Sequence, residues 1–177
     1  MSCRVIARSS LITAFSIVFL STIHAQSLPP MRMTPAEIAA SANTLDNNQI
    51  GSSGLEGVHT KVLFGNPEKA GYYAILLFVP AHTTIQAHSH RDDRVATVVS
   101  GEWHFGYGDH FDAQLLKALP PGSVYSEPGG RKHNHFARTD ATDVIVEISG
   151  YGPTEYSLFR ASQRSELERE EVGLGYY

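Results

Sequence analysis

Thiol chemistry is nearly absent from this sequence. Its 177 residues include one cysteine, Cys3. No disulfide can form within the chain, and Cys-rich zinc sites and iron–sulfur clusters are excluded. A basic excess is lacking too: 14 Lys and Arg stand against 18 Asp and Glu, a formal net charge of −4. That balance argues against nucleic acid and anionic membranes as partners. No P-loop, Rossmann glycine fingerprint or G-x-S-x-G elbow occurs, so neither a phosphate cradle nor a serine-hydrolase nucleophile is signalled. The internal repeats of a solenoid or propeller are also missing.

The first residues read as an export signal. MSCRVIARSS carries Arg4 and Arg8 and no acid, LITAFSIVFLSTI (residues 11 to 23) is apolar apart from Thr and Ser, and HAQS follows. A positive start, an apolar stretch too short to span a bilayer comfortably and a small residue at the cleavage point read as a cleavable signal peptide over residues 1–25, with an uncleaved N-terminal anchor as the alternative. Cleavage after Ala25 is expected, with a periplasmic or secreted product that has no membrane partner. Cys3, Arg4 and Arg8 leave with the leader, and the mature chain keeps 12 basic and 18 acidic residues, formally −6. It must stabilise itself without disulfides.

Residues 26–54 read as a linker with a short helix. In MTPAEIAASANTL, Thr34 can cap the helix, Pro35 suits its first position, and Glu37 stands where a capping box needs a carboxylate. DNNQIGSSGLEG is a turn-rich loop. Strand patterns then follow one another. VHTKVLFG alternates, YYAILLFVP (72 to 80) is a near-continuous apolar run expected to be buried on both faces, and TTIQAHSH, RVATVVSGEWHFGYG, SVYSEP, KHNHFART and DVIVEISGYG come after it. Residues 109 to 121 are the one long connection and can hold a helical turn. Many short strands with Gly and Pro turns argue for an all-β sandwich or small barrel over 55–160. SQRSELEREE makes residues 161–177 a charged C-terminal helix or a solvated tail.

Two histidine pairs stand out. Side chains alternate along a strand, so His88 and His90 share a face, with Gln86 and Asp92 in the same row. Imidazoles placed this way form half of a site for Zn, Fe, Cu or Ni. His133 and His135 repeat the spacing just after the Pro128-Gly129-Gly130 turn. His59, His82, His104 and His110 have no paired neighbour and read as ordinary surface or satisfied histidines. Trp103, Phe105, Tyr107, Tyr125 and Phe136 read as core and pocket wall.

Residues 88 to 101 resemble the first cupin motif, H-x-H, three residues, an acid, six residues and glycine. His88, His90 and Gly101 match it, and Arg94 stands at the acid position. Residues 122 to 133 resemble the second motif through Gly122, Pro128, Gly130 and His133. Together with VPAHTTIQAHSHRDDRVATVVSGEWHFGYGDHFD, HFART and GYGPTEY, these make the chain similar to small exported bacterial cupin-domain proteins. The resemblance implies a double-stranded β-helix, the jelly-roll barrel, with a metal in its mouth and pairing as a homodimer.

Arg94 departs from that pattern. A guanidinium cannot ligate a cation. Either it turns away to pair with Asp92 or Asp93, or it faces the cavity as an anchor for an anionic substrate. The third ligand is His133 by its spacing from the proline, or His135 by its place in the HFA segment. The expected metal set is therefore His88, His90, His135 and His133 around a divalent ion (Fe, Mn, Zn, Cu or Ni), with Asp92 or Gln86 as an oxygen ligand. Two function classes follow. One is a metalloenzyme, dioxygenase- or isomerase-like, acting on an oxygen-bearing small molecule, with Glu127, Glu147, Tyr125 or Arg94 in supporting roles. The other is a non-catalytic module that binds or senses a metal or small molecule. A carboxylate and a cation lining the cavity beside an open metal favour the first, and a closed four-histidine site favours the second.

Overall fold

The protein is described here by a computed structural model covering residues 29–41, 44–45 and 55–158. The expected leader, the 46–54 loop and the charged C-terminal segment 161–177 lie outside these residues. The described part begins with a helix, α1 (Pro35–Ala40), capped as its sequence predicts. Thr34 N–H donates to Glu37 Oε2 at 2.6 Å, and Glu37 N–H donates back to Thr34 Oγ1 at 3.3 Å. The helix is shorter than its sequence pattern, because Ser41 closes it in extended geometry. Thr44–Leu45 (β1) then pairs with a strand instead of extending the helix.

The remaining strands are β2 (His59–Phe64), β3 (Gly71–Val79), β4 (Thr84–His90), β5 (Arg94–Ser100), β6 (Trp103–Tyr107), β7 (Lys117–Leu119), β8 (Val124–Glu127), β9 (His135–Thr139), β10 (Val144–Gly152) and β11 (Tyr156–Leu158). They form two antiparallel sheets, ordered β1-β2-β3-β10-β5-β8 and β11-β4-β9-β6-β7. From β3 onward, successive strands alternate between the two sheets, apart from the paired neighbours β6 and β7. This crossing makes the double-sheet jelly roll of cupin type. The long connection holds a 3-10 turn at Ala113–Leu115, as expected, and then the short strand β7.

The core forms where the two inner faces meet. β3 and β10 pair over nine residues from Val144↔Val79 to Gly152↔Gly71, so Tyr73, Ile75 and Val79 line up with Val144, Val146 and Ile148 on one face. Ala96 and Val98 extend that face along β5, and Ile85, Trp103, Phe105 and Ala137 close it from the second sheet. The apolar 72–80 run is not buried on both faces. Leu76 and Phe78 on the outer side are only half-buried, because an antiparallel sheet can leave one face to solvent. His59 lies flat on Phe78, ring centroids 4.7 Å apart, and gives that side its partial cover.

Two glycines fix how the loops approach each other. Gly101 turns β5 into β6 at φ +75°, where a Cβ would stand 2.3 Å from the Asp143 carbonyl oxygen. Gly129 packs its backbone on the β4–β5 loop, and a Cβ there would meet the Arg91 carbonyl oxygen at 2.8 Å. Gly129 N–H donates to Asp93 Oδ1 at 2.7 Å and Gly130 N–H to the His90 carbonyl at 2.7 Å. These contacts lock the turn that precedes β9 against the end of β4. The two histidine-bearing segments thereby meet at one end of the barrel.

Candidate metal centre

His88, His90 and His135 come together inside the barrel. β4 and β9 are neighbours, and His88 stands directly opposite His135 in their ladder. One potential ligand nitrogen from each of the three lies within 4.8 Å of the others. Ring centroids are 4.3 Å apart for His88–His135, 5.0 Å for His88–His90 and 5.3 Å for His90–His135. All three side chains are buried.

A bulge in β4 decides which residues face inward. Ile85 pairs with Ala137 and His88 with His135, so three steps on β4 match two on β9. The extra residue reverses the alternation. Ile85 and His88 therefore both line the cavity, while Gln86 is turned to solvent. Gln86 is thus not in the histidine row, contrary to the simple alternation. Its carbonyl instead accepts from His88 Nδ1 at 2.8 Å, and the Glu155 carbonyl accepts from His90 Nδ1 at 2.8 Å. Each carbonyl fixes the proton on Nδ1 and leaves the Nε2 lone pair free to face the cavity, the arrangement that orients metal-ligating histidines.

His133 is not part of this cluster. Residues 131–134 continue the turn, and β9 starts only at His135. His133 is exposed, and its Nδ1 bonds the Gly129 carbonyl at 2.8 Å. The proline spacing that selects His133 therefore misses the inward position by two residues. Asp92 is also drawn elsewhere, since Tyr73 O–H donates to its Oδ2 at 2.7 Å. Glu147 is half-buried, opposite Leu76 and Thr97 in the ladders, and does not line the cavity. Burial raises its carboxyl pKa.

Arg94 pairs with neither Asp92 nor Asp93. It stands across the β5–β8 ladder from Glu127 and donates to Glu127 Oε2 through Nε at 2.6 Å and through a second guanidinium nitrogen. Arg94 and Glu127 are both buried and both line the cavity. Burial is the largest influence on the Arg94 pKa and lowers it, but the Glu127 charge and hydrogen bond, with Tyr73 and Asp92, together outweigh it and the net shift is upward. A carboxylate thus enters the cavity from β8. Glu127 Oε2 lies 3.6 Å from His135 Nε2 and 3.8 Å from His90 Nε2.

Those distances carry chemical information. Burial, followed by the neighbouring His135, pushes the His88 imidazole down to about 3. Burial and then Arg94 push His135 down to about 3, and the same two causes hold His90 well below the ordinary imidazole range. Near pH 7 all three rings are neutral. His90 Nε2 and both ring nitrogens of His135 are buried without a hydrogen-bond partner, and His90, its proton held on Nδ1, presents the Nε2 lone pair toward a carboxylate oxygen. Facing acceptors repel unless a cation lies between them. Two ligands on a tetrahedral zinc, each ~2.0–2.2 Å from the ion, stand about 3.4 Å apart. The donor set and its unmet nitrogens thus fit a divalent transition metal.

The pocket around this cluster is largely apolar, with Ile75, Leu77, Ile85 and Ile148 among its walls. Tyr156, on the short strand β11, stacks on His88 with centroids 4.4 Å apart. Sequence pattern alone misses β11 and β7, because three-residue strands carry no readable period. Trp103, Phe105 and Tyr125 line the pocket as expected, Phe136 is buried, and Tyr107 is half exposed.

No protein-family model matches the chain, and no curated protein matches it. Solved structures similar to it include a cupin 2 conserved barrel domain protein from Rhodopseudomonas palustris, at 15% identity and TM-score 0.48, covering 65% of this chain and 75% of that one. A sugar phosphate isomerase of the cupin superfamily from Silicibacter pomeroyi aligns at 15% identity and TM-score 0.46, covering 60% and 69%. An RmlC-like cupin from Shewanella frigidimarina aligns at 22% identity and TM-score 0.42, covering 60% and 80%.

Proposed function

We propose that this is an exported cupin-type metalloprotein that holds one divalent ion on His88, His90 and His135 and acts on an oxygen-bearing small molecule. The observation that carries this reading is the convergence of three neutral, buried imidazoles, two of them with Nε2 unmet. Export rests on the sequence of residues 1–25, and pairing of two copies on the half-exposed Val95 and Val99 and the exposed Val124 of the outer sheet face.

A divalent ion in such a site supplies a Lewis acid that polarises a bound oxygen. The protein's own groups do the rest. The Gln86 and Glu155 carbonyls hold the His88 and His90 rings in one orientation. Arg94 holds the Glu127 carboxylate beside His90 and His135, where it can accept a proton from an acidic O–H or C–H of the ligand. The apolar walls exclude water and strengthen these charge interactions. A carboxylate and a cation in the cavity, with His133 outside it, favour an enzyme over a closed metal store. An isomerase-like proton transfer uses these groups directly, and a dioxygenase-like reaction is the reading if the ion is iron.

Elemental analysis of untagged protein from its native compartment tests the proposal. Near-stoichiometric Fe, Mn, Zn, Cu or Ni is expected. A chain that carries no metal and takes up none on titration overturns it.

A further inference from the structure

A second cavity lies on the outside of the five-stranded sheet, behind His90. Its volume is ≈ 270 Å³, and Ser89, Arg91, Arg131, Glu155 and Ser157 form its polar wall. Side chains alternate along a strand, so where His88 and His90 point into the barrel, Ser89 and Arg91 point out of it. Ser157 stands directly opposite Ser89 in the β4–β11 ladder and shares that outer face. Arg131 arrives from another direction. Gly130 N–H donates to the His90 carbonyl at 2.7 Å, which pins the turn before β9 to the end of β4 and sets Arg131 over the same cavity as Arg91.

The donors in this wall are unspent. Ser89 is 4% exposed, and among the described residues its hydroxyl has no hydrogen-bond partner. The Arg91 and Arg131 side chains are exposed, and neither is in an ion pair among the described residues. The acids next to Arg91 in sequence are engaged elsewhere, Asp92 by Tyr73 O–H and Asp93 by Gly129 N–H, each at 2.7 Å. Glu155 is the carboxylate of this wall, so two cations face one anion in a chain of net negative charge. A buried hydroxyl without a partner calls for an explanation. Guanidinium forks match carboxylate and phosphate oxygens alike, but here they are joined by two hydroxyls, and the four groups come from two strands and two turns. A tetrahedral oxyanion offers acceptor oxygens in that many directions, and a flat carboxylate does not.

We propose that this outer cavity is a phosphoryl-binding site separate from the metal centre. Arg91 and Arg131 hold the anion's charge, and the Ser89 and Ser157 hydroxyls donate to its oxygens. About 10–15 Å³ admits one water, so ≈ 270 Å³ takes a phosphoryl group together with a small organic remainder. The Glu155 carboxylate would repel the anion itself and accept from a hydroxyl of that remainder. Inorganic phosphate and a small phosphate ester share the chemistry of the anion. The site does not depend on a metal being bound.

The test uses the full mature chain with the metal it carries on isolation. Inorganic phosphate and glycerol 3-phosphate are titrated by calorimetry at low ionic strength, with and without a chelator. Wild type, R91Q, R131Q, S89A and K117Q are compared, with circular dichroism and metal content measured for each. Lys117 lies on β7, at the opposite edge of the same sheet, so K117Q removes one positive charge away from the cavity. R91Q and R131Q should each weaken binding about tenfold, the scale of one hydrogen bond to a charged acceptor. S89A should weaken it about threefold or more, and K117Q should stay close to wild type. Tighter binding of glycerol 3-phosphate than of phosphate makes the ligand a small ester, and the reverse order makes it the free ion; either order supports the site.

Failure of both probes to bind overturns the proposal. So does wild-type affinity in both arginine variants, or a loss in K117Q equal to theirs, which leaves net charge as the cause. Binding that survives in the arginine variants and vanishes with chelator belongs to the metal and overturns it too. Wild-type affinity in S89A reduces the site to surface charge and overturns it as a built pocket. If S89A does not fold, R91Q and R131Q decide the matter.

Discussion

Replacing Arg94 by methionine probes the charge arrangement of the cavity, because the variant keeps bulk and loses only the cation. In the metal-free protein Glu127 would be left buried without its partner. Removing one member of a buried pair costs roughly 3–5 kcal/mol, and R94M should be less stable by about that amount. With a urea dependence of about 2 kcal/mol/M for a domain of this size, the midpoint falls by roughly 1.5–2.5 M. Metal affinity should move the other way. The guanidinium is bonded to Glu127 Oε2, which lies 3.6 and 3.8 Å from two of the imidazole nitrogens. An ion ~2 Å from those nitrogens would stand about 6 Å from the arginine charge. A unit and a double positive charge at that separation repel by roughly 5.5 kcal/mol at an effective dielectric of about 20. Even a quarter of this, about 1.4 kcal/mol, is tenfold in affinity. R94M should therefore bind zinc at least tenfold more tightly than the wild type, and excess zinc should recover most of the lost stability. Competition against a chromophoric chelator measures the first effect, and urea melts with and without zinc the second. Zinc binding that is unchanged or weaker in R94M would refute the argument. If neither protein takes up zinc, Arg94 itself serves as the cavity's cation and the site is metal-free.

Alanine at His88 and His90 together should abolish tight metal binding while far-UV circular dichroism still shows a β-protein. Alanine at His135 should cost metal affinity severely, whereas alanine at the exposed His133 should leave metal binding close to wild type, and equal losses in a zinc titration would place the ligands wrongly. Stability of the metal-free protein should depend on pH with a definite sign. His88 and His135 are held near about 3 in the folded chain against about 6.5 unfolded, so below pH ~6.5 the unfolded chain takes up protons that the folded chain refuses. Stability is then fully present above pH ~6.5 and is lost as the pH falls toward 3, by up to a few kcal/mol between pH 7 and 5. Thermal melts in chelator at several pH values test this, and a flat profile would refute it. Substituting Gly129 by alanine should destabilise the barrel by about 1–3 kcal/mol, since the new Cβ meets backbone of the β4–β5 loop at 2.8 Å, and it should weaken metal binding by parting His90 from His135; a chemical melt and a zinc titration read the two effects.

Much of this architecture is legible before any coordinates are at hand. Alternation in VHTKVLF and RVATVVS, the turn formers between the strands and the H-x-H spacing are local signals. Local signals survive in sequence because strand geometry repeats every two residues. The capping box at Thr34 and Glu37 is equally local. Those features pointed to an all-β sandwich or small barrel and marked His88 with His90, and His133 with His135, as two pairs that each share a face. What the sequence could not carry is the phase of a side chain after an irregularity. The bulge between Ile85 and His88 turned Gln86 outward, and the two extra turn residues before β9 decided for His135 over His133. Nor could it carry contacts made across a ladder. Arg94 and Glu127 are 33 residues apart in sequence, and only the pairing of β5 with β8 makes them one buried ion pair. A motif read along the chain shows a cation where an acid belongs. The folded sheet brings a carboxylate beside it from the neighbouring strand, because the pairing of strands, and not their order, sets which charges share a cavity.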